Sequence, residues 1–313
     1  MTPAEEAVAG YSAGRNTVKH SDALTFRLAG LDFELRSNAS AAPPSLLPTY
    51  QPFLTTAPAE RAGVYTLAAP GQHDLLHADA ARLTWECESW RMGPTSDGRL
   101  AIEIHNVPRD RWIIVANVAP DFSSGIICPT SRSIDRLSPH SLNYPYDQII
   151  LFHRLLYFDA AILHASGVAV ENQGLVFCGH SGAGKTTIAR LWRAHGGVLM
   201  NDERVLVRVV GSDVRLASTP WHGSSEHEIN ALNVPLRAIC HLRQSKENRL
   251  TPIHGTERIT RLLTTAISPL YTRDAIERVL SMWERVTDAV PSYELEFTPD
   301  RRPLALCREQ LLS

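Results

Sequence analysis

Hydrophobic and polar positions alternate with a period of two through most of the first third of the chain. Phe26 and Leu28 alternate with polar neighbours, and after Gly30 so do Leu31, Phe33 and Leu35. That pattern predicts a strand pair. Residues 41–60 hold five prolines and read as loop or edge. Further strands are expected at Tyr65–Ala68, Arg82–Glu86, Leu100–Val107 and Trp112–Val118. The first 120 or so residues therefore read as mostly β, carry no catalytic motif and show no internal repeat.

The grammar changes after the proline-marked polar stretch Pro129–Pro145. Tyr146–Phe158 is apolar nearly all round (Ile149, Ile150, Leu151, Phe152, Leu155, Leu156), as a buried helix would be. Short apolar runs then follow at Ala160–Leu163, Gly167–Val170, Gly174–Cys178, Val198–Met200, Val205–Val210, Val214–Ala217, Ala238–Leu242 and Ser292–Phe297. Helical patterns fall at Thr186–His195, Glu257–Ala266, Arg273–Thr287 and Pro303–Leu312. Strands interleaved with helices predict an α/β unit. The division expected is a loose segment at 1–22, a β-rich domain at 23–140 and an α/β domain at 141–313.

The bulk numbers narrow the partners. The chain has 313 residues, 44% apolar and 20% charged, and a net charge of −2. No nucleic-acid or acidic-membrane partner is implied by that balance. The five cysteines are scattered, with no C-x-x-C pair, so neither a zinc site nor a disulfide framework is expected. Met1–Lys19 is polar and carries Glu5 and Glu6, unlike a signal peptide, and no apolar run has bilayer length. A cytoplasmic location is the expectation. Lys19, Lys185 and Lys246 are the only lysines among 31 basic residues, which makes a lysine in a special place informative.

Lys185 stands in such a place. Gly179-His180-Ser181-Gly182-Ala183-Gly184-Lys185-Thr186-Thr187 fits G-x-x-x-x-G-K-[ST]. The apolar run Leu175–Cys178 before it reads as a buried strand, and Thr186–Arg193 after it as a helix. A strand, a glycine loop and a helix are what phosphate binding needs. Glycines let the backbone wrap an oxyanion, and the helix N-terminus points free N–H groups at it. Lys185 supplies a cation for the outer phosphates, and the Thr186 hydroxyl can ligate Mg²⁺. The bland reading, a glycine turn before a helix, arises by chance in roughly 1% of chains this long, so the flanks decide for phosphate. The loop reads phosphates and not bases, which leaves ATP and GTP both open.

Two further features sit at the right spacing. Asn201-Asp202-Glu203-Arg204 follows the run Val198–Met200, at the expected C-terminal end of the next strand, where ligands bind in open α/β sheets. There one carboxylate can bind Mg²⁺ and the other accept a hydroxyl proton. A plain Asn-Asp turn is the alternative. His164 ends the run Ala161–Leu163, a hairpin's length before the loop, and can reach a γ-phosphate or an acceptor; a lone histidine at a strand end is otherwise structural.

His164-Ala-Ser-Gly-Val168, the loop GHSGAGKTT and Asn201-Asp-Glu-Arg-Val205 resemble, in order and spacing, the catalytic domain of the HPr kinase/phosphorylase family, which shares a P-loop class with phosphoenolpyruvate carboxykinase. The resemblance implies a fold class: an α/β P-loop kinase domain of that type, preceded by a β-rich N-terminal domain. It also implies ATP and Mg²⁺ as cofactors, Asp202 as catalytic acid/base, His164 as the active-site histidine, and Lys185 and Thr186 at the phosphate and magnesium positions. Glu203 stands where the family has a second Asp. A homo-oligomer is implied too. The family's Leu-Arg-Gly-Leu-Gly-type signature has no counterpart here. The wording Thr219-Pro-Trp-His-Gly223 and Tyr146-Asp-Gln148 is more similar to divergent members beside lasso-peptide and peptide-modification clusters, which phosphorylate a serine of a precursor peptide. A peptide or protein acceptor is therefore expected. Two other functions stay open: a small-molecule or carboxykinase-like enzyme, and an ATP-binding or hydrolysing module with no acceptor. His222 with Trp221 and Gly223, Glu226 and Glu228, and Arg237, Arg243 and Arg249 are lesser candidates for substrate contacts.

Overall fold

A computed structural model describes residues 23–38, 43–69, 76–105, 112–129, 142, 145–221 and 228–312. The loose segment expected at 1–22, the boundary expected between 140 and 141, and the candidates His222, Gly223 and Glu226 all lie outside the described residues.

The architecture is mixed α/β, with two large sheets and a few helices. The first sheet holds eight strands: β1 (Ala23–Leu28), β2 (Leu31–Ser37), β3 (Glu60–Leu67), β4 (Trp85–Glu86), β5 (Trp90–Pro94), β6 (Leu100–His105), β7 (Trp112–Val118) and β8 (Ser124–Pro129). Their spatial order is β1-β2-β3-β8-β7-β6-β5-β4. β1 and β2 form the expected strand pair, turning at Ala29 (φ 50°) and Gly30 (φ 82°), the left-handed backbone that matches the strands' own twist.

Helix α1 (Tyr146–Leu155) joins the two halves, and every one of its residues but Arg154 is buried. Tyr146, Ile149, Ile150, Leu151, Phe152 and Leu155 share one core with Phe26, Phe33 and Tyr65 of the first sheet, and with Ile162, Leu206 and Trp221 further along the chain. The apolar character all round the helix follows from that double burial.

The second sheet comprises β9 (Ala160–Val170), β10 (Gln173–Cys178), β11 (Val198–Asn201), β12 (Arg204–Val210), β13 (Asp213–Ala217), β14 (Asn233–Gln244), β15 (Arg249–Ile253), β16 (Ala266–Ile267) and β17 (Ser292–Phe297). The expected open α/β sheet is corrected here. Among the described residues of this sheet, only the β10–β14 and β14–β17 pairs are parallel. β10, β9, β12, β13 and β14 pair in sequence, and β14 pairs back onto β10, closing a ring of five strands. The two-residue hairpin Glu171-Asn172, both left-handed (φ 50° and 63°), joins β9 to β10 as antiparallel neighbours, the hairpin expected before the loop. Helices α2 (Lys185–Ala194) and α5 (Arg302–Leu311) bury Ile188, Trp192, Leu304 and Cys307 on one face. Helices α3 (Glu257–Leu263) and α4 (Arg273–Ala289) bury Leu262, Met282, Trp283 and Val286 in another cluster. Among the described residues, no helix is long and apolar enough to cross a membrane.

Candidate active site

Strand β10 runs buried into the loop Gly179–Gly184, and α2 begins at Lys185. The loop's conformation depends on its glycines. Gly182 has φ 81° and Gly184 φ 105°, and a Cβ on Gly184 would come within 2.5 Å of Phe297 Cζ. No L side chain fits that position without strain and a clash. Two other contacts brace the loop: Gln244 Nε2 donates to Gly182 O at 2.7 Å, and the Ala183 N–H donates to His180 O at 3.1 Å. The Lys185 ammonium, buried, donates to Gly179 O (2.8 Å) and His180 O (3.2 Å). Burial lowers its pKa, while Cys178 and Glu203 raise it.

The loop forms one wall of an open cavity of about 510 Å³. It is lined by Ser181, Gly182, Gly184, Lys185, Thr186, Thr187 and Arg190, and from across the sheet by His164, Asp202, Glu203 and Gln244. That volume suits a nucleotide-sized ligand. Gly179, His180 and Ala183 shape the loop without lining the cavity.

His164 and Asp202 reach the site by a route different from the one expected. His164 lies inside the single long strand β9, where two strands with His164 at an end were expected. β11 and β12 run collinearly along the same edge of β9, with Asp202-Glu203 as the break between them. The acidic pair is therefore not a hairpin turn: it directly follows the C-terminal end of β11, as expected, and β12 continues the path along the same edge. Asn201 holds the break: its Oδ1 accepts from the N–H groups of Glu203 (2.8 Å) and Arg204 (2.9 Å). On the β9 side, Ala165 N–H donates to Glu203 O (3.1 Å) and Ser166 Oγ to Asp202 O (3.2 Å). Asp202 is buried, and Glu203 is half-buried with Arg204 Nη2 at 3.5 Å from its Oε1.

Charge at this end is mixed. The His164 pKa is lowered, first by burial and then by Lys185, with Glu203 opposing. The imidazole is therefore neutral at pH 7, able to donate one hydrogen bond and accept another. Among the described residues, no cluster of three or more His, Cys, Asp and Glu side chains is disposed to hold a metal by itself. Thr186, Asp202 and Glu203 on one cavity fit Mg²⁺, which takes one or two carboxylates and draws its remaining ligands from phosphates and water.

Three cavity or loop contacts were missed by the sequence reading. Arg190 stands four residues after Thr186, so helical spacing alone places them on one face. Gln244 and Phe297 end their strands, β14 and β17, and no local pattern marks them. Of the lesser candidates, Arg237 donates to Gln173, Arg243 is paired with Glu294 and Glu296, and Arg249 is paired with Glu296. None of these three lines the cavity, nor does the exposed Glu228.

No family model matches the sequence, and no curated protein matches it. Among solved structures the chain is similar to the Hpr(Ser) kinase/phosphatase from Coxiella burnetii, at 10% identity, covering 46% of this chain and 90% of that one, with a TM-score of 0.28.

Proposed function

We propose that the chain is an ATP-dependent kinase that transfers the γ-phosphoryl group to a hydroxyl, that of a serine in a peptide or protein acceptor. The observation that carries this reading is the convergence, on one cavity of nucleotide size, of the glycine loop with Lys185 and Thr186 and of His164, Asp202 and Glu203. The site stands open to an incoming chain, and among the described residues Arg190 is the one arginine that lines it. A small-molecule kinase would be expected to close a cationic pocket around its acceptor. The precursor-peptide form of the acceptor rests on the residue resemblance alone.

In this mechanism the loop N–H groups and the α2 N-terminus bind the β- and γ-phosphates. Lys185 exchanges a loop carbonyl for a phosphate oxygen and follows the charge as transfer proceeds. Thr186 and one member of the acidic pair would hold Mg²⁺, which would supply neutralisation of the phosphates' negative charge. Asp202 accepts the acceptor hydroxyl's proton as the oxygen attacks phosphorus and the bond to the β-phosphate oxygen breaks. Neutral His164 hydrogen-bonds the transferred group or the acceptor oxygen.

The test uses γ-labelled ATP with Mg²⁺, offered to an arrayed library of serine peptides and, separately, to free serine and glycerol. Label on peptide supports the proposal, and label on the small hydroxyls alone moves the acceptor to a metabolite. Release of inorganic phosphate with no labelled acceptor makes the chain an ATP-hydrolysing module. Failure to bind either ATP or GTP removes the kinase reading.

A further inference from the structure

A chain of buried hydrogen bonds runs from the first sheet's core to the acidic pair. Asn201 is 1% exposed. Its Oδ1 fixes the Asp202-Glu203 break, and its Nδ2 donates to Thr219 O (3.2 Å), Thr219 Oγ1 (3.2 Å) and Trp221 O (3.1 Å). Thr219 Oγ1 in turn donates to Arg204 O at 2.6 Å. The carboxamide is thus clamped between the break and the segment Thr219–Trp221.

That segment is held from the other side. The buried Trp221 indole sits edge-on to Phe152, 5.1 Å between ring centroids. Its Nε1–H donates to Asp147 Oδ2 (2.9 Å), with the Tyr50 hydroxyl at 3.1 Å. Tyr50, from the 3-10 turn Pro48–Phe53 packed on β1, donates to the same Asp147 oxygen at 3.0 Å. Asp147 Oδ1 accepts from the Gln148 N–H at 2.7 Å. The carboxylate is 1% exposed and forms no ion pair among the described residues. Burying an unpaired carboxylate is costly, and an apolar group of similar size would stabilise the core more simply. The carboxylate does something an apolar group cannot: with two aromatic donors on one oxygen, it fixes the rotation of the indole and hence the position of the Trp221 backbone.

We propose that Tyr50, Asp147 and Trp221 are positioning residues that hold the Trp221 carbonyl against Asn201 and so set the geometry of Asp202 and Glu203, giving the N-terminal sheet control over transfer and not over nucleotide affinity. For its activity arm this rests on the kinase reading. Trp221 and Tyr50 touch neither the loop nor the cavity wall.

The experiment compares the full chain with Trp221→Phe and Tyr50→Phe, each of which keeps a ring and removes one donor. Hydrogen exchange is read at the Glu203 and Arg204 amides, which donate to Asn201, and at the loop and α2 amides as an internal reference. Exchange at 203–204 should rise about fivefold or more while the reference stays put. ATP affinity by calorimetry should hold within about twofold, while kcat falls about tenfold through displacement of reacting groups. In an Asn201→Ala background, Trp221→Phe should add no further change, because the connection is already cut. Unchanged exchange at 203–204 in both variants overturns the proposal. So does an equal rise throughout the chain with a lowered melting temperature, which would mean a purely structural role. If the wild-type chain transfers phosphate to no acceptor, the kinase reading falls, and the exchange data still decide the positioning.

Discussion

Replacing Lys185 by methionine perturbs the glycine loop with little change of shape. The ammonium donates to Gly179 O and His180 O, and to reach a phosphate it must give up at least one of these, a charge-assisted bond worth about 1.5–3 kcal/mol. Attraction between unit charges about 4 Å apart, at the effective dielectric near a protein surface, returns about 4 kcal/mol. The net for binding is therefore about 1–2.5 kcal/mol, so Lys185→Met should weaken ATP binding roughly 5- to 70-fold. Transfer should fall further, because charge that develops only in the transition state loses a preorganised donor, an effect of about 10²–10³-fold. Stability should hardly move, since methionine removes both the two bonds and the cost of burying the ammonium. Calorimetric titration with ATP gives the first number, initial rates of labelled transfer the second, and thermal unfolding the third. Unchanged affinity and unchanged turnover in a folded variant would refute the assignment of the loop. A fall in melting temperature that tracks the loss of affinity would show that the lysine braces the loop and does not read phosphate.

Three other outcomes are expected. Asp202→Asn should spare ATP affinity and lower transfer by about 10²–10⁴-fold; initial rates at two Mg²⁺ concentrations check this, since rescue by metal would make Asp202 a ligand and full activity would remove it from the mechanism. Gly184→Ala places a Cβ at φ 105° and 2.5 Å from Phe297 Cζ, so ATP titration should show about tenfold or more loss of affinity, partly restored by Phe297→Leu in the same chain. The buried His153 and His241 have pKa values lowered by desolvation from 6.5 to about 4. The unfolded chain therefore takes up their protons first, and each contributes roughly 3 kcal/mol that is present above pH 6.5 and lost as pH falls toward 4. Urea midpoints between pH 7.5 and 4.5 measure this, and His153→Phe should flatten its share of the slope.

The strand, glycine loop and helix at 173–194 were legible because everything they need is local. A buried run, three glycines, a lysine and a helix lie within about twenty residues, and each part is specified by its own neighbours. The position of the acidic pair was legible only as a distance along the chain. Its setting was not, because the partners of Asn201 lie at Thr219 and Trp221, and the edge that β11 and β12 share belongs to β9. Asn-Asp reads locally as turn chemistry, and the Asn201 side chain does make turn-like bonds to the next amides. Only non-local pairing turns that motif into a break in a continuous strand path.

Three of the strands that were missed or divided share one cause, while β15 and the two-residue β16, also unexpected, carry no such mark. Gly93, Gly125 and Gly167 look like punctuation in the sequence: β5 and β8, which hold the first two, were not expected, and β9 was divided in two, its second part beginning at Gly167. In the fold each lies where a neighbouring segment comes close: the neighbouring strand at Gly125 and Gly167, and Leu83, 3.1 Å from where a Cβ would stand, at Gly93. A Cβ on Gly125 would stand 2.7 Å from Val118 Cγ1, and one on Gly167 the same distance from Val205 Cγ1. Pro235 inside β14 misled in the same way, since it pairs with Arg215 without ending the strand. A glycine between apolar residues thus has two opposite meanings, a bend or a tight contact, and one sequence cannot separate them, because the atom that decides is on another strand. At Gly167 that ambiguity matters for function. Val205 can press against β9 there only because no Cβ intervenes. The contact lies three residues from His164 and two from Glu203, so the closeness of the two strands at this glycine is what brings the histidine and the acidic pair onto one cavity.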